Sequence, residues 1–150
     1  MLIWVFDLDY TLYNIPKNIQ FKHSYLKRDN YLGMCLSFLP NKKLIFTNSN
    51  TAHCTLSLDI IGIRHHFDNI VTKDENTLKP DISSFITFIK KNKITIHDRC
   101  VFFEDSEENL RIAKLFGWIT VYIGGINNNN FIDFSFSTIH DALEYFIRHL

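Results

Sequence analysis

The chain reads as an α/β fold: a single Rossmann-like, doubly wound parallel sheet of about five strands with helices on both faces. Three observations predict this. Five short apolar, strand-like runs alternate with helical patterns, the arrangement that feeds a parallel sheet through βαβ units. Residues able to do chemistry fall just after those runs, at the carboxyl ends where open α/β sheets bind ligands. A length of 150 residues is enough for one sizeable core and too short for two ordinary ones. A single domain over residues 1–150 is therefore expected.

Taken in order, the first strand is expected at Leu2–Phe6, where an apolar run ends in Asp7. A helix follows at about Asn30–Leu39, then a strand at Lys43–Thr47 and a helix at Thr51–Ile61 that stops at Gly62. A third strand is expected at Asn69–Thr72 and a helix at Asp81–Lys91, with Asp81 as N-cap behind Pro80. Cys100–Phe103 reads as the fourth strand, followed by a helix at Glu107–Phe116 that stops at Gly117. The two glycines stand where a left-handed helix C-terminus is expected. Thr120–Ile123 is the fifth strand, Asn127–Asn130 a surface loop, and His140–Arg148 the last helix. The His65-His66 pair reads as a turn and not as a metal pair, because neighbouring side chains diverge.

Composition narrows the function. Sixteen basic and sixteen acidic residues give a formal net charge of zero, which argues against a general nucleic-acid or membrane-surface binder. No apolar run approaches the length of a membrane span, and Asp7 and Asp9 interrupt the only apolar stretch near the N-terminus, so a signal peptide is not expected. Cys35, Cys54 and Cys100 are odd in number and widely spaced. They read as reduced, buried thiols of a cytoplasmic protein, not a disulfide or zinc framework.

The most informative stretch is Trp4 to Tyr13. At the end of a strand, alternate residues project to the same side, so Asp7 and Asp9 can converge on one point. Two carboxylates that close repel unless a cation lies between them or one stays protonated. A hard cation such as Mg²⁺, held through oxygen ligands, resolves the repulsion. The plain alternative is a turn or helix-cap cluster. It is disfavoured by the apolar run in front and by three further matching segments downstream: Thr47-Asn48-Ser49 and Glu104-Asp105-Ser106 at strand ends, and Lys79-Pro80 just before the helix after the third strand.

Together these segments resemble the four motifs of the haloacid dehalogenase-like (HAD) superfamily, in order. Asp7-Leu8-Asp9-Tyr10-Thr11-Leu12 is similar to motif I, Phe46-Thr47-Asn48 to motif II, Lys79 to motif III and Phe103-Glu104-Asp105-Ser106 to motif IV. The pyrimidine 5′-nucleotidase-like branch is most similar. Its DxDxTLY opening, TNSxxxH segment (Thr47 to His53), GIxxxFD stretch (Gly62 to Asp68), LKP and DSxxN (Asp105 to Asn109) all have counterparts over roughly residues 1–125.

The resemblance implies a Mg²⁺-dependent phosphomonoesterase. Asp7 would attack phosphorus and form an aspartyl-phosphate, while Asp9 would protonate the leaving oxygen and then deprotonate water. Dehalogenase members lack this second aspartate, and the related ATPases carry Thr there. Thr47 and neighbouring N–H groups would bind the phosphoryl oxygens, and Lys79 would offset the negative charge. Asp7, the Asp9 carbonyl and Asp105 would hold Mg²⁺, with Glu104 acting as ligand, through water, or from behind. Thr11, Asn48, Ser49 and His53 are the expected substrate contacts, although His53 also fits a packed helix position. Glu104 departs from the double aspartate usual in the branch.

The larger departure is length. Many members of the branch carry a helical cap of a hundred residues or so between motifs I and II, whereas about 35 residues separate Leu12 from Thr47 here. The expectation is a capless domain with a short flap at about 13–29, whose Lys17, Lys22, Lys27 and Arg28 are either a solvated loop or a guide for phosphate. Without a lid the site would be open and broad in substrate; a flap or partner subunit closing over it would restore selectivity. Nucleoside monophosphates are the first substrate expectation, and phosphosugars or macromolecular phosphates the second. A non-catalytic binding module that keeps the fold is the contrasting class; it is disfavoured because Asp7 and Lys79 are present.

Overall fold

In a computed structural model that describes residues 1–150, the strands are β1 (Leu2–Phe6), β2 (Lys42–Phe46), β3 (Asn69–Val71), β4 (Arg99–Glu104), β5 (Ile119–Ile123) and β6 (Phe134–Phe136). They form one sheet in the order β3-β2-β1-β4-β5-β6, and every neighbouring pair is parallel. Four helices connect them, α1 (Asn30–Phe38), α2 (Thr51–Ile61), α3 (Ile82–Lys91) and α4 (Glu107–Leu115), and α5 (Ile139–Arg148) follows β6.

The strands are apolar on both sides because both sides are covered. Trp4 and Phe6 join Val101, Phe103 and Val121 in a core shared with α1, α2 and α5. The intervening Ile3 and Val5 join Leu44, Phe46 and Phe102 under α3 and α4. One residue of slip along β1 would exchange these two faces, so the register is strongly specified. At its end Phe6 lies opposite Phe103 of β4 and Ile45 of β2.

The sheet has one strand more than the sequence reading expects. β6 is three half-buried residues, Phe134-Ser135-Phe136, and lacks the continuous apolar run that marks the other strands. It extends the edge by pairing with β5, Val121 opposite Phe134. The expected helices are all present, with ends shifted by about one residue. Asp81 caps α3 through the Ser83 N–H, and Gly62 (φ +82°) and Gly117 (φ +78°) take the left-handed conformation.

This topology positions the site. The chain leaves β1 toward β2 and β3 on one side, then returns to β4 on the other. The crevice where connections diverge therefore lies over the carboxyl ends of β1 and β4. Between β1 and β2 there is only a one-turn helix at His23–Tyr25 and the nine-residue α1. No helix is long and apolar enough to cross a membrane, and all three cysteines are free and buried.

Candidate active site

Asp7 is the first residue beyond β1, and its N–H still donates to the Phe103 carbonyl at 3.0 Å. The chain then turns sharply. Tyr10 adopts φ +62°, a left-handed conformation that costs a side chain about 1–2 kcal/mol. The turn lets the Thr11 and Leu12 N–H groups donate back to the Leu8 carbonyl at 3.2 and 3.0 Å. It also brings the Thr11 hydroxyl onto Asp7 Oδ2 at 2.9 Å and within 3.2 Å of Asp105 Oδ1. Thr11 is thus largely buried, and its hydroxyl ties the two carboxylates together.

The other oxygen of Asp7 meets Lys79. The fully buried ammonium donates to Asp7 Oδ1 at 3.1 Å, Glu104 Oε2 at 2.9 Å and the Phe46 carbonyl at 2.6 Å. Asn48 fixes the backbone that carries it: its amide accepts from the Lys79 N–H at 2.8 Å and donates to the Lys79 carbonyl at 3.0 Å. The Asn48 side chain therefore anchors the Lys79 loop. Beside it, the Thr47 and Ser49 hydroxyls share a 2.9 Å hydrogen bond, and Thr47 Oγ1 also accepts from the Ser49 N–H.

Glu104 has both oxygens engaged. Oε1 accepts from the Asp105 and Ser106 N–H groups at 3.0 and 3.2 Å, and Oε2 accepts from Lys79 and from Asn109 Nδ2 at 3.1 Å. Asp105 accepts at 2.6 Å from Lys17, whose side chain is 62% exposed.

Ligand oxygens of Asp7, Glu104 and Asp105 all lie within 4.8 Å of one another. Burial, and then the Glu104 carboxylate, hold the Asp7 carboxyl well above its ordinary range despite Lys79. Burial alone would lower the Lys79 ammonium, but Asp7 and Glu104 outweigh it and hold it above its usual value. Asp105 is also buried, yet the hydrogen bond from Lys17 holds its carboxyl below the ordinary range. Three carboxylates thus face two ammonium groups, one of them mostly in solvent. An all-oxygen donor set of crowded carboxyl groups fits a hard divalent cation, which would relieve their mutual repulsion.

Asp9 points elsewhere. Its Oδ1 accepts from Tyr13 Oη at 2.8 Å and lies 2.6 Å from His53 Nε2. His53 faces the site because Asn50 caps α2 through the His53 N–H at 2.7 Å, which fixes the first helical turn. Of the four basic flap residues, only Lys17 reaches the acidic cluster. A cavity of about 730 Å³ adjoins that cluster at Thr11, Lys17 and Asp105, between the flap, the end of β5 and the start of α5. Lys27 and Arg28 line it farther along, while Asp7 and Asp9 do not.

Tyr13 stands one helical turn beyond Asp9 and closes the DxDxTLY pattern, and Asn109 closes DSxxN. Lys17 belongs to the basic flap stretch read as a solvated loop or a guide for phosphate. His23, whose ring meets His53 at 3.0 Å, lies in a stretch without periodicity and carries no sequence signal.

The sequence model of the haloacid dehalogenase-like hydrolases matches residues 40–123, more than half of the chain. The chain belongs to the haloacid dehalogenase-like hydrolase family. Solved structures of this family share its fold. L-2-haloacid dehalogenase from Xanthobacter autotrophicus superposes with a TM-score of 0.62 at 15% identity over 77% of this chain and 59% of that one. The HAD hydrolase YfnB of Bacillus subtilis, bound to magnesium, gives 0.65 at 16% identity over 79% and 55%. A HAD phosphatase from Thermococcus onnurineus gives 0.59 at 24% identity over 75% and 55%. The chain therefore spans between half and three-fifths of the length of these relatives. In this chain the strand-end carboxylates, the buried lysine and the hydroxyl pair after β2 gather at the carboxyl edge of the sheet.

Proposed function

We propose that this HAD-like hydrolase is a Mg²⁺-dependent phosphatase that hydrolyses phosphomonoesters through an aspartyl-phosphate on Asp7. The observation that carries the reading is the pair Asp7 and Asp9 in opposed settings. Asp7 is buried against Lys79 and Thr11 inside the acidic cluster. Asp9 is part-exposed and held apart by Tyr13 and His53. One carboxylate is set up to bond to phosphorus, the other to move a proton. Asp9 also favours phosphatase over dehalogenase chemistry, since the resemblance associates dehalogenases with the lack of this second aspartate.

Mg²⁺ would be held by Asp7, Asp105 and the Asp9 carbonyl, and would supply charge for the phosphoryl oxygens. Glu104, with four hydrogen bonds already made, is better suited to anchoring Lys79 and the start of α4 than to direct ligation. Lys79 restrains Asp7 and offsets the charge that gathers as phosphate arrives. Thr47, Ser49 and nearby N–H groups are the donors for the phosphoryl oxygens.

We read the domain as a capless member of the pyrimidine nucleotidase-like branch, with 13–29 as a flap that touches the site. The cavity beside Asp105 has the volume of a small-molecule site. This supports small organic phosphates over macromolecular ones, with nucleoside monophosphates the first to try and phosphosugars second.

A screen of nucleotides, sugar phosphates, phosphorylated ends and 2-haloacids, with and without Mg²⁺, tests the reading. Phosphate release that vanishes with chelation is expected. Turnover of a 2-haloacid in chelator, with no phosphate release from any ester, would overturn it.

A further inference from the structure

The flap touches the acid/base carboxylate by a second route. His53 Nδ1 lies 3.0 Å from His23 Nε2, and His23 opens the one-turn helix of the flap. With His53 Nε2–H donating to Asp9, Nδ1 is left as an acceptor, and His23 Nε2–H fills it. One set of tautomers satisfies the whole chain from Asp9 to the flap. Phe21 sits at its centre: the ring lies 5.2 Å from both imidazoles, nearly edge-on to each, and 5.7 Å from Tyr13. The two groups that hydrogen-bond Asp9 Oδ1, Tyr13 and His53, are thus packed around one flap aromatic.

The consequence lies in which oxygen is left. Both donors converge on Oδ1, whereas Oδ2 accepts nothing from the protein. An oxygen clamped by two donors is a poor place for a proton. The proton of a protonated Asp9 therefore resides on Oδ2, and the clamp fixes where that oxygen points. Resting on the phosphatase reading, we propose that His53, locked by His23 across Phe21, is a positioning residue that aims Asp9 Oδ2 at the leaving oxygen. The flap would then determine not only access but the quality of general-acid catalysis.

Leaving-group dependence separates positioning from a merely structural role. Alkoxide needs a proton as it departs; p-nitrophenolate does not. The ratio kcat/KM reports only the steps through phosphoryl transfer, so slow breakdown of the aspartyl-phosphate does not blur it. For His53→Ala we expect kcat/KM on glycerol 2-phosphate to fall ~10–100-fold, a fraction of what a general acid contributes, and on p-nitrophenyl phosphate by less than ~3-fold. His53→Gln, whose amide can still donate, should recover part of the alkyl-ester rate, and His23→Ala and Phe21→Ala should show a weaker loss with the same selectivity. Equal losses on both esters in folded variants, or no loss on either, would overturn the proposal and leave the phosphatase reading standing. Failure of the wild type to hydrolyse either ester would overturn both.

Discussion

Two lysines bracket the acidic cluster, and they differ in burial and in the number of oxygens they meet. Lys79 has a fully buried side chain, three oxygen acceptors, and the rings of Phe46 and Phe102 at 4.9 and 5.3 Å from its ammonium. Lys17 has one acceptor, at 2.6 Å, and most of its side chain in water. A buried charge that loses its partner is left in low dielectric, whereas an exposed pair gains little because water solvates either ion nearly as well. The Lys79 contacts are therefore part of the fold, and the Lys17 ion pair is a contact the fold can do without. The same contrast separates what chemistry must keep fixed from what substrate and cation must be able to displace.

Removing the proposed nucleophile should have the largest effect. Asp7→Asn is expected to lower phosphatase kcat by ~10⁴-fold or more while leaving the fold intact, since the amide is a poor nucleophile and a weaker cation ligand. Steady-state assays with circular dichroism check both halves.

The lysine comparison is tested next. Lys79→Met leaves Asp7 and Glu104 uncompensated and should cost about 3–5 kcal/mol, a fall in Tm on the order of 10 °C. Lys17→Met should move Tm by no more than ~2 °C. Calorimetry on the two variants gives the answer, and equal shifts would break the distinction between inner and outer sides.

Cation affinity should move in opposite directions on the two sides of one ion pair. On the proposed function the Lys17 ammonium would compete with Mg²⁺ for Asp105, so Lys17→Met should tighten Mg²⁺ binding by up to ~5-fold, the worth of an exposed pair. Asp105→Asn should weaken it and raise the Mg²⁺ needed for half activity. Titration calorimetry with Mg²⁺ alone reads both. An unchanged titration for Asp105→Asn would transfer the ligand role to Glu104.

The smallest effect concerns the thiols. Burial pushes Cys54 and Cys100 up to about 12, so both remain protonated near neutral pH. Iodoacetamide should label neither in the native protein over hours, as mass spectrometry would show.

Legibility in the sequence followed the same inner and outer division. Strands buried on both faces need continuous apolar runs, so β1, β2 and β4 were readable to within about a residue, and the loaded residues after them marked the carboxyl edge. β6 was not readable, because a three-residue, half-buried edge strand needs no such run. Asp7, Lys79 and Asp105 were legible because each follows a strand or stands in a short motif. The partners of Asp9, Tyr13 and His53, sit at fixed offsets from motif residues. Lys17, which meets Asp105, and His23, which meets His53, reach the site through a flap path that neither periodicity nor spacing encodes. Local sequence also did not reveal that Thr11 and Asn48 turn inward. Their hydroxyl and amide could serve a substrate as well as a backbone, and only the packed turn decides.

The covalent step is the centre of the account, and it can be trapped. Asp9→Asn, which lacks the base for the second step, is mixed with radiolabelled p-nitrophenyl phosphate and Mg²⁺, quenched in acid and digested. The predicted result is an acid-stable, hydroxylamine-labile label on the peptide containing Asp7, formed as p-nitrophenolate is released. Release of p-nitrophenolate with no label on the protein, or with label on a residue other than Asp7, would contradict the account.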